Sequence, residues 1–325
     1  MVLIETEELT TPTEGRQPMI RQSAICSVLA LAAVSVTVLA QQATAPTVLT
    51  THALNGGAYW VEGGRSNTGF IVGDKGVVLI DALMTPADAK QVLAEIAKIT
   101  PKPVNQIVIT HADPDHVGGL LGYAASTPII AHENTLSEIK VSADDPGAGP
   151  VFGAMYRALA KLPIRTVSST ETTVIDGIRI TLMYVAPAHT SGDLIVYLPA
   201  QKIVYGGDIL LTNTGRFPVI HLGGSSLGWI TAMKAMLALN ARTYVTGHGA
   251  FETRAQLQAR LKDVEQRRVQ VKELVSQGKS LADVELALPE PDANPMFLTF
   301  TRTVYDELTK GYPLASPPWT NLVKK

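Results

Sequence analysis

The segment Thr110-His111-Ala112-Asp113-Pro114-Asp115-His116-Val117-Gly118-Gly119 decides how this chain is read. Four side chains able to ligate a metal, His111, Asp113, Asp115 and His116, fall within six residues. A loop can turn such groups toward one ion through imidazole nitrogens and carboxylate oxygens, whereas an ordinary exposed loop has no need of that density. The plain alternative is a polar loop at a strand end in which Asp115 caps a helix. Gly118 and Gly119 let the backbone turn closely behind the polar residues.

Immediately upstream, the stretch 105–110, centred on Ile107-Val108-Ile109, predicts a short buried strand that delivers its C-terminal end to His111. Chemistry collects at such strand ends in α/β proteins. Further upstream, Phe70-Ile71-Val72 and Val77-Val78-Leu79-Ile80 flank Gly73-Asp74-Lys75-Gly76, which predicts a hairpin. Thr85-Pro86-Ala87-Asp88 supplies an N-cap, a proline at the first helical position and an acid at the third. Val92, Ile96 and Ile99 then give a helical apolar stripe, and the helix is expected to run through Lys98.

Downstream, strands are expected at 127–131, 178–185, 194–198, 203–205 and 243–246, a loop at 144–149 and helices at 151–162 and 226–239. No internal repeat of fixed period is found. After His248 the texture changes: Leu257, Leu261, Val264, Val271 and Leu274 mark one face of a long helix, and Ser280-Leu281-Ala282-Asp283 has the form of a capping box. The expected organisation is a domain over 46–255 followed by a helical extension over 256–325, which packs on the domain or forms a homodimer.

Three later motifs complete the first one: His189 in Pro187-Ala188-His189-Thr190, Asp208 in Tyr205-Gly206-Gly207-Asp208, and His248 in Thr246-Gly247-His248-Gly249. With the segment from His111 to His116, this order resembles the metallo-β-lactamase superfamily, whose signature His-X-His-X-Asp-His is completed by later His, Asp and His residues. The resemblance runs from about residue 50 to 255 and includes Asp81. It implies an α/β fold, a four-layer αββα sandwich with the metal site at one edge between two sheets. It also implies Zn2+ as cofactor, one or two ions per chain: His111, Asp113 and His189 at one position, Asp115, His116 and His248 at the other, and Asp208 bridging.

Asp113 stands where the common pattern has its second histidine. A carboxylate can ligate zinc or iron, so the exchange alters charge and metal preference without removing the site. Asp113 is read as ligand or base, Asp115 as ligand or water orienter. Asn213, close after Asp208, either completes the shell, orients substrate or forms a turn. Asp81 either fixes a ligating histidine or caps a strand end. Flavodiiron-type proteins also carry an acid at the Asp113 position, but it is glutamate, and the 77 residues after His248 are too short and helical for their flavin partner domain. The departures more faintly resemble hydrolytic dehalogenases of the chlorothalonil-degrading type.

Residues 1–45 read as a signal peptide with a preceding segment. Arg21 precedes an uncharged apolar run from Ala24 to Ala40, followed by Ala43-Thr44-Ala45, with cleavage expected after Ala40 or Ala45. A run of 17 residues diluted by Ser27, Ser35 and Thr37 is marginal for spanning a membrane. The mature chain is then expected to be periplasmic or extracellular and free of the membrane. Without residues 1–40 it holds 25 basic and 25 acidic residues, so nothing in it attracts a polyanion, and nucleic acid is excluded as a partner. Cys26 lies within the signal, so neither a disulfide nor a cysteine ligand is available afterwards.

No GxSxG elbow is present, which disfavours a covalent serine mechanism. The expected function is an exported zinc-dependent hydrolase in which metal-activated water attacks a small neutral ester, lactone, amide or activated carbon-halogen substrate. The alternatives are a hydrolytic dehalogenase of haloaromatic compounds and a non-enzymatic metal-binding protein. His52, His132 and His221 read as packed or surface residues. Tyr59, Trp60, Phe70 and Trp229 either line a pocket or fill the core.

Overall fold

A computed structural model describes residues 48–212, 215–221 and 223–311. The segment 1–45, expected to be a signal peptide, and Asn213 lie outside the described residues. The predicted hairpin forms: β3 (Thr68–Val72) pairs antiparallel with β4 (Val77–Ile80), and Gly73 N donates to Gly76 O across the turn. β1 (Thr50–Ala53) and β2 (Ala58–Glu62) extend it as an antiparallel meander. Helix α1 (Pro86–Ala97) starts at the reciprocal capping box between Thr85 and Asp88 and carries the chain to β5 (Val104–Val108), parallel to β4.

The ligand-rich segment leaves β5 and enters the single turn α2 (Pro114–Val117). β6 (Ile129–His132), α3 (Glu133–Asp144), α4 (Gly149–Leu159) and β7 (Ile164–Val167) complete a seven-stranded sheet in the order β1 to β7, with parallel pairing from β4 to β7. The second sheet has six strands: β8 (Glu171–Ile175), β9 (Ile178–Met183), β10 (Ile195–Leu198), β11 (Ile203–Tyr205), β12 (Thr243–Val245) and β13 (Glu252–Thr253). They are ordered β13-β12-β11-β10-β9-β8, and β11 with β12 is the parallel pair, joined by α5 (Ser226–Ala238).

Strand alternation builds the layers. Ile71, Val78, Ile80, Val108 and Ile130 of the first sheet point inward against Ile180, Leu182, Val196 and Tyr205 of the second. Their neighbours Phe70, Leu79, Ile107 and Ile129 point outward and are covered by Val92 and Ile96 of α1 with Ile139, Tyr156 and Leu159 of α3 and α4. Beyond the second sheet, α5 packs with α6 (Arg254–Ser276), α7 (Leu281–Ala287) and α8 (Phe300–Lys310) in a third apolar cluster. The result is the expected αββα sandwich with a helical C-terminal extension. The long helix and the capping box at Ser280 appear where the periodicity predicts them.

Several boundaries differ. The strand expected at 105–110 stops at Val108, since the chain turns there to present its polar residues. The helix expected at 151–162 begins at Gly149, directly before Pro150 at its first turn, and ends at Leu159. Tyr59, Trp60, Phe70 and Trp229 are packing residues: Phe70 and Trp229 are wholly buried, Trp60 lies between the sheets, and Tyr59 stacks on Phe70. Among the described residues no helix is long and apolar enough to cross a membrane.

Candidate metal centre

Strand ends from both sheets converge on one cluster. His111, Asp113, Asp115 and His116 follow β5; His189 lies in the turn before β10; Asp208 is in the short 3-10 turn Gly207–Ile209 after β11; His248 follows β12. Donor atoms of His111, Asp113, His189 and Asp208 lie within 4.8 Å of one another, as do those of Asp115, His116 and His248. Asp208 joins the two groups: Oδ1 is 3.1 Å from His116 Nε2, and Oδ2 is 3.2 Å from His248 Nε2 and 3.7 Å from His189 Nε2. The seven residues singled out in the sequence as candidate ligands are thus brought together.

Each of three imidazoles is oriented through its other nitrogen. His116 Nδ1 is 2.9 Å from Asp81 Oδ2, His189 Nδ1 is 2.9 Å from Val219 O, and His111 Nδ1 is 2.9 Å from Thr110 Oγ1. All three therefore aim Nε2 at the cluster, the arrangement that fixes tautomer and ring direction in metal sites. Asp81 is set in the left-handed region at φ 62°, and it also accepts from Thr110 N and Thr110 Oγ1 at 2.8 Å each. Its reading as a histidine-fixing residue accounts for its position.

The glycines after His116 act by close packing. A Cβ at Gly118 would collide with Met84 O and one at Gly119 with Ala82 O, while both the φ of Gly118 (−63°) and the backbone hydrogen bond from Gly119 N to Leu83 O are ordinary. Gly247 is required for the same reason, since its Cβ would strike Asp208 Oδ1.

Burial opposes charge throughout this cluster, yet the mutual attraction of its acids and imidazoles prevails. His221 with the adjacent His111 and His189 holds Asp113 well below the ordinary carboxylate range, and His248, His116 and His111 do the same for Asp208. Asp208 and Asp115 lift His248 to about 10, and Asp113 lifts His189 to about 9. A divalent cation satisfies the same attraction in place of those protons. The donor set fits such an ion: His111 Nε2 and Asp113 Oδ1 are buried without a hydrogen-bond partner. Nitrogen and oxygen donors without thiolate suit zinc or another first-row divalent metal, with capacity for one or two ions.

Some contributors carry no recognisable motif. His221, read from sequence as a packed or surface residue, is buried with Nδ1 3.2 Å from Asp113 Oδ2, the oxygen that is also 3.2 Å from His189 Nε2. Asp193 holds the His189 turn by accepting from Ala188 N, Thr190 N and Thr190 Oγ1. Asn67 ties the His248 turn by donating to Thr246 O and Gly249 O, and Ser66 Oγ donates to Asp115 O. The one local signal was Asp193 itself, an acid following a Ser-Gly turn four residues after His189.

Behind the His189 turn, Glu138 of α3 accepts from Ser191 N at 3.0 Å and Ser191 Oγ at 2.6 Å through Oε1, while Oε2 is buried without a partner. Burial, reinforced by the nearby Asp193, pushes its carboxyl from 4.5 up to about 8. The folded state therefore holds a proton that the unfolded chain has already released, and stability falls as pH rises between about 4.5 and 8, by up to about 1.4 kcal/mol per unit. Glu138→Gln keeps an acceptor for Ser191 and removes the titration. Urea unfolding at pH 5 and pH 8 is expected to show the variant gaining at least about 2 kcal/mol relative to the parent across that interval. Parallel behaviour of the two proteins would refute the assignment.

The cluster forms the floor of a cleft of about 530 Å³, within the range of small-molecule sites. Its walls are mainly apolar, with Met84, Phe152, Leu211, Val219, Met296 and Phe297, and among the described residues Arg65 is the one Lys or Arg side chain lining it.

Comparison with known proteins agrees with this picture. The family described as Metallo-beta-lactamase superfamily matches residues 61–248. The 2,4-dinitroanisole O-demethylase subunit alpha of Nocardioides sp. is 30% identical over 206 residues, covering 62% of this chain and 57% of that protein. The linear primary-alkylsulfatase of Pseudomonas sp. is 24% identical, covering 54% and 40% respectively. The solved structure of the stereoselective inverting sec-alkylsulfatase Pisa1 from Pseudomonas sp. aligns with a TM-score of 0.63 at 17% identity, over 82% of this chain and 51% of that one. This last likeness is one of fold. The chain thus spans between two fifths and three fifths of the length of the curated relatives it matches here.

Proposed function

Since the chain belongs to the metallo-beta-lactamase superfamily, we propose that it is a metal-dependent hydrolase, with Zn2+ as its ion and a small neutral ester, lactone, amide or activated carbon-halogen compound as substrate. The observation that carries this reading is the pair of His/Asp clusters, joined by Asp208, at the floor of a mainly apolar cleft. His111, Asp113, His189 and Asp208 would hold one ion, and Asp115, His116 and His248, again with Asp208, a second. A zinc ion held there supplies Lewis acidity and lowers the pKa of water toward neutrality.

The protein groups divide the remaining work. Asp81, Thr110 and Val219 O keep three imidazoles aimed, so little reorganisation is needed when substrate arrives. Asp113, shared between His189 and His221, suits holding an ion, and Asp115, which contacts His248 at the cleft, suits holding an ion or orienting water beside it. The apolar walls exclude water from the organic part of the substrate. The names of the two relatives, one a demethylase of dinitroanisole and one an alkylsulfatase, support a small-molecule substrate. The former, named for a nitro-substituted aromatic substrate, also supports hydrolytic dehalogenation of a haloaromatic compound as a second reading.

The test is metal content by inductively coupled plasma mass spectrometry, followed by turnover on panels of esters, lactones, amides and haloaromatics. One or two zinc ions per chain, lost in His248→Ala, with metal-dependent product formation are expected, and halide release would select the second reading. No bound metal after metal-replete purification would overturn the proposal. Retained metal without turnover on any panel would replace it with a metal-binding role.

A further inference from the structure

Part of the cleft wall is built from outside the family-matched stretch. Asn294, Met296 and Phe297 line the cleft, whereas the match ends at His248. They lie in the connection between α7 and α8, which is fastened at several points. Glu290 accepts from Thr301 N at 2.7 Å and Phe300 N at 3.1 Å; Arg267 donates to Leu288 O at 2.9 Å and Thr301 Oγ1 at 2.7 Å; Asp292 accepts from Arg216 N at 2.8 Å; and Asn294 Oδ1 accepts from Met296 N at 2.9 Å. The segment is thereby held in place before any ligand arrives, which lowers the ordering cost of binding.

Within this fastened segment the apolar side chains are left uncovered. Met296 is 59% exposed and Phe297 only half-buried. The Phe297 ring stands edge-on to His221, with centroids 5.8 Å apart at 72°, and His221 contacts Asp113. An apolar surface that the fold does not bury thus lies one side chain away from the candidate ion-holding carboxylate. A benzyl face and a thioether both gain geometry-dependent contacts from a flat ring that a flexible chain does not offer.

We propose that the segment 289–299 is the substrate-recognising wall of the cleft and that Phe297 and Met296 select a flat apolar aromatic ring, an inference that rests on the hydrolase reading for naming the ring as substrate. The test uses nitrobenzene and the open-chain 1-nitrohexane, two neutral six-carbon nitro compounds, with binding measured by calorimetry or ligand-observed magnetic resonance on the full chain. The parent protein is expected to prefer nitrobenzene. Phe297→Ala is expected to weaken nitrobenzene about fivefold while changing 1-nitrohexane less than about twofold. Met296→Ala, at an exposed position, is expected to weaken nitrobenzene in the same direction.

Equal affinity of the parent for both probes, or nitrobenzene binding unchanged in both variants, would overturn the proposal. Metal content measured on the same samples separates the two readings, since neither probe needs an ion. Absence of metal defeats the hydrolase while the probe comparison still decides whether this wall selects a ring.

Discussion

Asp208→Ala is expected to lower turnover by about a thousandfold or more, equivalent to about 4 kcal/mol of transition-state stabilisation, and to strip the protein of metal. Its two oxygens reach imidazoles of both groups, approaching His116, His248, His189 and His111 at 3.1 to 3.8 Å. Removing it leaves the cluster's imidazoles with Asp113, Asp115 and, for His116, Asp81 as their acidic neighbours, and an ion at either position would lose a charged donor. Asp208→Asn keeps the shape but not the charge and is expected to lose less metal. Measured kcat together with metal per chain checks the prediction. A Asp208→Ala protein that keeps both its metal and its rate would remove Asp208 from the centre and with it the joined arrangement.

Trp229→Ala is expected to lower the unfolding free energy by about 3–5 kcal/mol. Trp229 is wholly buried in the cluster that joins the second sheet to α5, α6, α7 and α8, so truncation opens a cavity that rigid neighbours can only partly close. Its Nε1 also donates to Ile209 O at 2.8 Å, and that carbonyl would be left buried without its partner. Ile209 follows Asp208 directly, so the packing defect sits beside the chemistry. Trp229→Phe should recover most of the volume and retain the cost of the lost hydrogen bond, about 1 kcal/mol. Urea unfolding of the two variants separates these contributions; equal losses would mean that packing around the indole is not what the site requires.

Local patterns made much of this legible. The hairpin at Gly73 to Gly76, the helix starts at Thr85 and Ser280 and the dense segment from His111 to His116 each depend on residues adjacent in the chain, where turn chemistry, capping and ligand spacing act. Asp81 could be proposed because the family resemblance extends to it, although its place at a predicted strand end equally suits a cap. His221 could not, because its contact with Asp113 spans 108 positions and its neighbours Leu222, Gly223 and Gly224 form no metal signature. Helix α3 escaped notice for a related reason. It begins after His132, whose Nδ1 accepts from Asn134 N, a cap by a residue type that sequence rules do not rank among good caps. β1 and β2 are short and separated by Asn55-Gly56-Gly57, so their pairing is visible only once the meander is assembled.

The candidate donors do not come from one sheet. His111, Asp113, Asp115 and His116 hang from the first, and His189, Asp208 and His248 from the second. An ion seated among them would therefore also be a rivet through the seam of the sandwich, adding to the apolar side chains and to cross-sheet hydrogen bonds such as those of Asn67, Glu138, Asp176 and Tyr205. Folding and loading would then be linked: while free ion remains above its Kd, each tenfold fall costs about 1.4 kcal/mol of stability for each ion held. With an ion so placed, a chelator would lower the stability of the fold as well as the proposed turnover, and scarcity of metal would be felt as susceptibility to proteolysis.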